Sequence, residues 1–319
     1  MQERALDPQG RARQPVRMTG TLTPAALAAR PTVRSSSRLA VPAPALAVAA
    51  MLTVQLGAAL SVHLFPVVGP AGTAWLRLCA ASLVLLALVR PRVRTLPRDV
   101  LPAVAGLGAV SALMTVGYFL ALERLPLGTT VALEFLGPLG VAVLSRGAGR
   151  AALLWPALAL AGVLALTEPW SGGADPLGVG FALVAAGGWG GYVLLTQRVG
   201  DALPGLSGLA LSMPVAALCA APVGVPQAWG HLSAGVLLQA AALALLLPVV
   251  PYALEMVALR RMTTAAWGTL AAVEPAVAAG VGVLVLGQVP HVWQAGGVVL
   301  VVAAGLGAQR TGARGHAPA

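Results

Sequence analysis

The sequence predicts an all-α membrane protein, with ten transmembrane helices arranged as two inverted repeats of five. Three observations predict it. Hydrophobic residues make up 58% of the 319 and charged residues only 9%, with a mean hydropathy of +0.86; soluble domains carry roughly 45–50% and 25%. The apolar residues fall into runs near the ~20 residues that cross a hydrocarbon slab ~30 Å thick. A stretch also recurs: a shift of 137 positions lays Ala121-Leu122-x-Arg124 on Ala258-Leu259-x-Arg261, and Pro138 on Pro275. Each copy carries one carboxyl within its apolar run, Glu134 in the first and Glu274 in the second.

Taken in order, residues 1–38 scatter Arg4, Arg11, Arg13, Arg17, Arg30, Arg34 and Arg38 among Pro, Ser, Thr and Gly. No apolar periodicity survives there, which predicts a disordered basic cytoplasmic tail. Met18 offers an alternative start. The run that begins at Pro42 is too long for the roughly 7–15-residue core of a signal peptide, and more spans follow at once. Membrane helices are therefore expected near 42–63, 70–89, 99–121, 127–145, 151–167, 176–196, 204–223, 234–257, 264–286 and 291–309. Short connections rich in Pro and Gly join them, such as Pro66-Val67-Val68-Gly69-Pro70 and Gly287-Gln288-Val289-Pro290. The first repeat covers 39–168 and the second 175–309, with a short cytoplasmic tail at 310–319.

All 20 basic residues are arginines. With the spans so placed, every arginine except Arg77 and Arg124 falls on one side, which predicts both termini in the cytoplasm. Basic residues dealt out loop by loop do not make a nucleic-acid surface, so the net charge of +10 points to no such partner. Five spans per repeat is an odd number, so the second copy must enter the bilayer upside down. Inverted repeats of this kind serve alternating access, with a substrate site near the midplane. Cys79 and Cys219 lie in separate apolar runs without metal-ligand spacing and are expected to be buried small residues. H-E-x-x-H, a complete G-x-S-x-G and a Walker-type loop are all missing, so no enzyme, metal or cofactor is expected. An intramembrane enzyme is the alternative from a different class.

Several phrases carry a family resemblance. Asp175-Pro-Leu-Gly178, Gly188-Trp189-x-x-Tyr192, Gln197-Arg198 and Trp75-Leu-Arg77-Leu resemble EamA-like members of the drug/metabolite transporter superfamily. The runs Val54 to Leu60, Leu64 to Gly69, Pro126 to Leu139, Pro251 to Leu259 and Trp267 to Ala276 resemble, more narrowly, the threonine/homoserine exporter branch. The likeness extends over roughly 40–308. It implies the ten-helix fold of that superfamily and a bacterial inner membrane. It also implies proton-driven export of a small, zwitterionic amino acid without ATP hydrolysis, or else export of another metabolite or drug. The sequence departs from related exporters at Val62-His63, where those often have other polar or basic residues.

Single residues narrow the site. Glu134 lies about 12 Å into its helix, too deep to face lipid cheaply, so it is expected to face protein or a wet cavity. A carboxyl withdrawn from water is readily kept protonated, which suits proton coupling or binding of a substrate ammonium. Arg77 falls at a similar depth and is expected either to pair with Glu134 or to meet a substrate carboxylate. Glu274 precedes Pro275 in mid-span, where a broken helix would expose polar backbone. Glu255 is expected to pair with Arg260 or Arg261. Gln55, Tyr118, Trp189, Tyr192, Tyr252 and Trp267 could line a polar cavity; for the aromatics an interfacial belt is the competing role. His63, His231 and His291 sit singly at loop edges and are expected to be solvated. The glycines of Gly187-Gly188-Trp189-Gly190-Gly191 are expected to serve close helix packing.

Overall fold

The computed structural model describes residues 42–91, 99–144, 154–168, 170, 174–203, 205–259, 261–262 and 264–313. The expected tail at 1–38 and most of the tail at 310–319 lie outside them. The described residues form helices and connecting turns only. In order these are α1 (Ala43–Ser61), α2 (Phe65–Val89), α3 (Leu101–Leu122), α4 (Leu127–Glu134), α5 (Leu136–Leu144), α6 (Leu154–Thr167) and α7 (Pro176–Ala202). The second part continues with α8 (Ser207–Ala228), α9 (Ala234–Ala244), α10 (Val250–Leu259), α11 (Thr264–Ala271), α12 (Glu274–Leu286) and α13 (Val292–Ala313).

Local chemistry explains where these helices start. Prolines stand in the first turn of α1, α2, α3, α7 and α12, where a missing N–H leaves no hydrogen bond unmade. Asp175 caps α7 by accepting from the Leu177 N–H at 2.9 Å, and Ser233 caps α9 through Val236 N–H at 3.2 Å. The Pro66–Pro70 connection is more helical than expected. Phe65 to Val68 already coil, and the break is confined to Gly69 (φ +67°, ψ 165°), which an L side chain rarely adopts.

Three expected spans are not continuous. The fourth is interrupted at Phe135, directly after Glu134, and the ninth at Ala272-Val273, directly before Glu274. The eighth contains a π turn, Leu245–Val249, with Leu247 in extended geometry. Phe135 and Val273 keep right-handed backbone angles, whereas the extended Leu247 requires its freed backbone to be buried in protein or to line a cavity. Five helical stretches are long and apolar enough to cross a membrane, with shorter apolar helices beside them. One of the five, Ala43–Val89, runs to 47 residues, about 70 Å if straight, and is divided at Gly69. The surface agrees: Leu83, Leu218, Leu238 and Leu284 are 71%, 73%, 73% and 86% exposed, as lipid-facing side chains are.

Helices pair antiparallel through small residues, the way close contact is achieved where neighbouring lipid is as apolar as leucine. Gly72 and Gly224 bring α2 against α8, at Ala228 and Trp75. Gly117 and Gly188 bring α3 against α7, at Ala185 and Met114. Gly162 and Gly297 join α6 to α13, and Gly128 sets α4 on Ala279 of α12. α1 packs on α10 and α12. The glycines at 188, 190 and 191 do meet neighbouring helices, at Met114, Val141 and Val110. Cys219 corrects an expectation: it is exposed on α8, and Cys79 is half-buried.

Candidate functional site

The crossing of α4 and α12 sets the level of the site. Leu127 lies near Gly282 and Gly128 on Ala279, so the two helices run in opposite directions from what is here termed the Pro126 end. Glu134 is six residues along α4 from Gly128, about 9 Å, and Glu274 is five residues along α12 from Ala279, about 7.5 Å. The two carboxyls, 140 positions apart in sequence, therefore come to one depth. They lie within electrostatic reach of each other.

An apolar cluster lies between this layer and the Pro126 end. It contains Ala58 and Ala59 of α1, Ala74 of α2, Phe119 and Leu122 of α3, Val131 of α4 and Ala278 of α12. One turn from these, always away from the Pro126 end, stand Gln55 on α1, Arg77 on α2, Glu134 on α4 and Glu274 on α12. Helical periodicity repeated on four elements thus makes a polar layer under an apolar plug.

Contacts within the layer are specific. Gln55 Nε2 donates to Glu274 Oε1 at 3.1 Å, linking α1 to α12. Gln55 is 1% exposed, and its Oε1 has no hydrogen-bond partner among the described residues. Arg77 is 7% exposed; its guanidinium lies 4.6 Å from the centre of the Phe119 ring, and one terminal nitrogen has no hydrogen-bond partner among the described residues. Phe119 is held edge-on by Phe65, ring centres 5.6 Å apart. Tyr118, 8% exposed, stands within electrostatic reach of Arg77, Glu134 and Glu274.

The expected ion pair of Arg77 with Glu134 does not form. No salt bridge within 4.0 Å joins them among the described residues, although they interact at longer range. The guanidinium lies instead over the face of Phe119, a contact favourable to a cation. Sequence reasoning had no means of finding Phe119, because ring contacts between α2 and α3 leave no pattern in either helix.

The EamA-like transporter family matches residues 176–307. Over 275 residues the chain is 36% identical to the threonine/homoserine exporter RhtA of Escherichia coli strain K12, covering 82% of this chain and 89% of that protein. RhtA of Salmonella typhimurium strain LT2 gives the same figures.

The chain belongs to the EamA-like transporter family. The resemblance drawn from short phrases therefore holds for both family and branch, and the relatives are named as exporters, not enzymes. As an EamA-like transporter the chain is a multi-pass membrane protein, consistent with its apolar helices.

The remaining candidates of this EamA-like transporter divide. Trp189 packs edge-on against Phe135, ring centres 6.0 Å apart, beside the interruption that follows Glu134. Tyr192 sits among Val104, Leu107 and Val199 between α3 and α7, yet lies within electrostatic reach of Glu255. Glu255 in turn reaches Glu274, so the acidic layer continues away from the Pro126 end. Arg260, one of its two expected partners, lies outside the described residues, as does the side chain of Tyr252. Trp170 and Trp293 meet edge-on at 5.9 Å, 60% and 59% exposed, as a belt at the Pro126 end would.

At that same end Arg124 donates to Asp175 Oδ2 at 2.7 Å, tying the α3–α4 turn to the cap of α7. The Arg124 guanidinium and the Leu177 N–H hold the Asp175 carboxyl below its usual range, and the same bond raises Arg124. Two glutamines were missed in the sequence. Gln227 Oε1 accepts from Ala71 and Gly72 N–H at 2.8 and 3.1 Å, and Gln288 Oε1 accepts from Leu127 N–H at 2.9 Å. Each caps the start of a helix from the other half of the chain, with no spacing that would announce it.

Proposed function

We propose that the chain is a secondary active transporter of a bacterial cytoplasmic membrane that exports small polar metabolites, above all amino acids such as threonine and homoserine. Both termini face the cytoplasm, and transport runs by proton-coupled alternating access between two inverted five-helix repeats (39–168 and 175–309). The names of the relatives support the substrate class. The observation that carries the rest is the pair of carboxyls at one depth, Glu134 from one half and Glu274 from the other, each beside a helix interruption.

Packing supports the repeats. A two-fold relation between five-helix halves maps α2 on α8 and α6 on α13, and each of these pairs is in contact; it maps α4 on α11 and α5 on α12, so the α5–α7 contact answers to the α12–α1 contact. The same relation exchanges the α3–α7 contact with the α10–α1 contact, and both are present. With the arginine-poor Pro126 end outside, α4 meets α12 there, while α5 leans on α7 and α11 on α13 and α1. This favours a state sealed outside by the apolar plug, with the polar layer reached from within. Glu134 carries the proton in this reading, and Arg77, Gln55, Tyr118 and Glu274 surround the cargo. Trp189 and Tyr192 line the inward path.

The test is uptake of labelled threonine into inverted vesicles under an imposed proton gradient. Glu134→Gln should abolish gradient-driven accumulation while leaving downhill exchange. Undiminished accumulation with unchanged pH dependence would remove Glu134 from the coupling step.

A further inference from the structure

Two buried polar atoms in the layer have no hydrogen-bond partner among the described residues: the Arg77 terminal nitrogen and Gln55 Oε1. One is a cationic donor and the other a neutral acceptor. A buried donor or acceptor left unmade costs about 1–3 kcal/mol, more when charged, so a pair of them at one level needs a reason. The rest of each side chain is already committed. Arg77 lies on the Phe119 face, and Gln55 is turned by its bond to Glu274 Oε1, which leaves its oxygen facing away from that carboxylate. Gln55 stands one turn from Ala58 and Arg77 one turn from Ala74, which share a single apolar cluster, so the two side chains lie at one interior level. A ligand that satisfies both must present an anionic acceptor and a donor on one small skeleton.

We propose that Arg77 and Gln55 are the specificity-determining pair: Arg77 binds the cargo's carboxylate and Gln55 Oε1 accepts from its ammonium group. Glu274 is then a positioning residue that orients the Gln55 amide. The assignment rests on the reading of the chain as a small-metabolite exporter and adds the requirement that the cargo carry a free carboxylate and a free amine together. Glu134, in the same layer, makes no hydrogen bond among the described residues and keeps 9% exposure.

The experiment measures binding to purified full-length protein in detergent with three probes: L-threonine, L-threoninamide and N-acetyl-L-threonine. In the unaltered protein each blocked compound should bind about tenfold or more weaker than threonine, the value of one hydrogen bond to a charged group. In Arg77→Gln, threonine should fall to the level of threoninamide, and amidation should then cost nothing more. In Gln55→Leu, threonine should fall toward N-acetylthreonine while amidation keeps its penalty. Equal amidation penalties in Arg77→Gln and the unaltered protein would overturn the assignment. If Arg77→Gln does not fold, threoninamide binding the unaltered protein as tightly as threonine overturns it equally. Proton-driven threonine transport with the wrong pattern of penalties would defeat this inference alone; absence of any amino-acid binding or transport would defeat the export reading as well.

Discussion

Gly128→Ala tests the crossing that brings Glu134 level with Glu274. A Cβ at 128 would stand 2.8 Å from Ala279 Cβ, 2.9 Å from its Cα and 3.2 Å from its nitrogen. Comfortable carbon–carbon separations are about 3.5–4.0 Å, so α4 and α12 must part by roughly 0.7–1 Å. Backbone cannot yield as a side-chain tip can, and overpacking of this kind costs about 1–3 kcal/mol. Ala279→Gly should rescue only in part. It removes the atom at 2.8 Å but leaves the Cα, and a glycine in a helix costs about 1 kcal/mol itself. The double variant should therefore show a favourable coupling of about 0.5–3 kcal/mol. Unfolding in detergent reads the energies, and proton-driven threonine uptake in inverted vesicles reads the consequence, a lower rate in Gly128→Ala that the second change partly restores. Replacing a helix glycine itself returns about 1 kcal/mol, so a raised unfolding midpoint in Gly128→Ala, or a double variant with no coupling, would refute the crossing.

Three further outcomes are expected. Gly69→Ala should destabilise strongly, because its φ of +67° disfavours a side chain and a Cβ there would strike the Gln227 carboxamide; a normal yield of folded protein would contradict this. Gln288→Ala strips the Leu127 N–H of its acceptor at the start of α4 and should cost about 1–3 kcal/mol, seen as a lower unfolding midpoint with Gln288→Glu less affected. Asp175 has a folded pKa held below its ordinary 3.8, so its ion pair adds stability above that value and loses it as pH falls through the folded pKa. Asp175→Asn should remove that acid-side loss and leave the shape of the pH dependence near neutrality unchanged, as measured by unfolding across the acid range.

Membrane class and the two acids within apolar runs were legible in the chain because bilayer solvation acts residue by residue. An apolar run of the right length, an arginine kept from the hydrocarbon and a carboxyl inside a span each declare themselves without reference to any partner. The family could be read for a related reason: phrases such as Pro126 to Leu139 keep their order along the chain. The interruption before Glu274 was announced by Pro275, whereas the one at Phe135 was hidden, since it sits in a run that would coil without protest in isolation.

Tertiary structure alone decided which groups meet. Arg77 and Glu134 share a depth, and depth suggested a pair, but the Phe119 ring is the nearer partner and took the guanidinium. Gln55 was one polar residue among several until α12 brought Glu274 to it across 219 positions. Depth along a helix follows from counting residues at 1.5 Å each, which a sequence supplies. Rotation and crossing distance depend on where a glycine on one helix finds an alanine on another, as Gly128 finds Ala279, and that is a property of two surfaces, not of either string of residues.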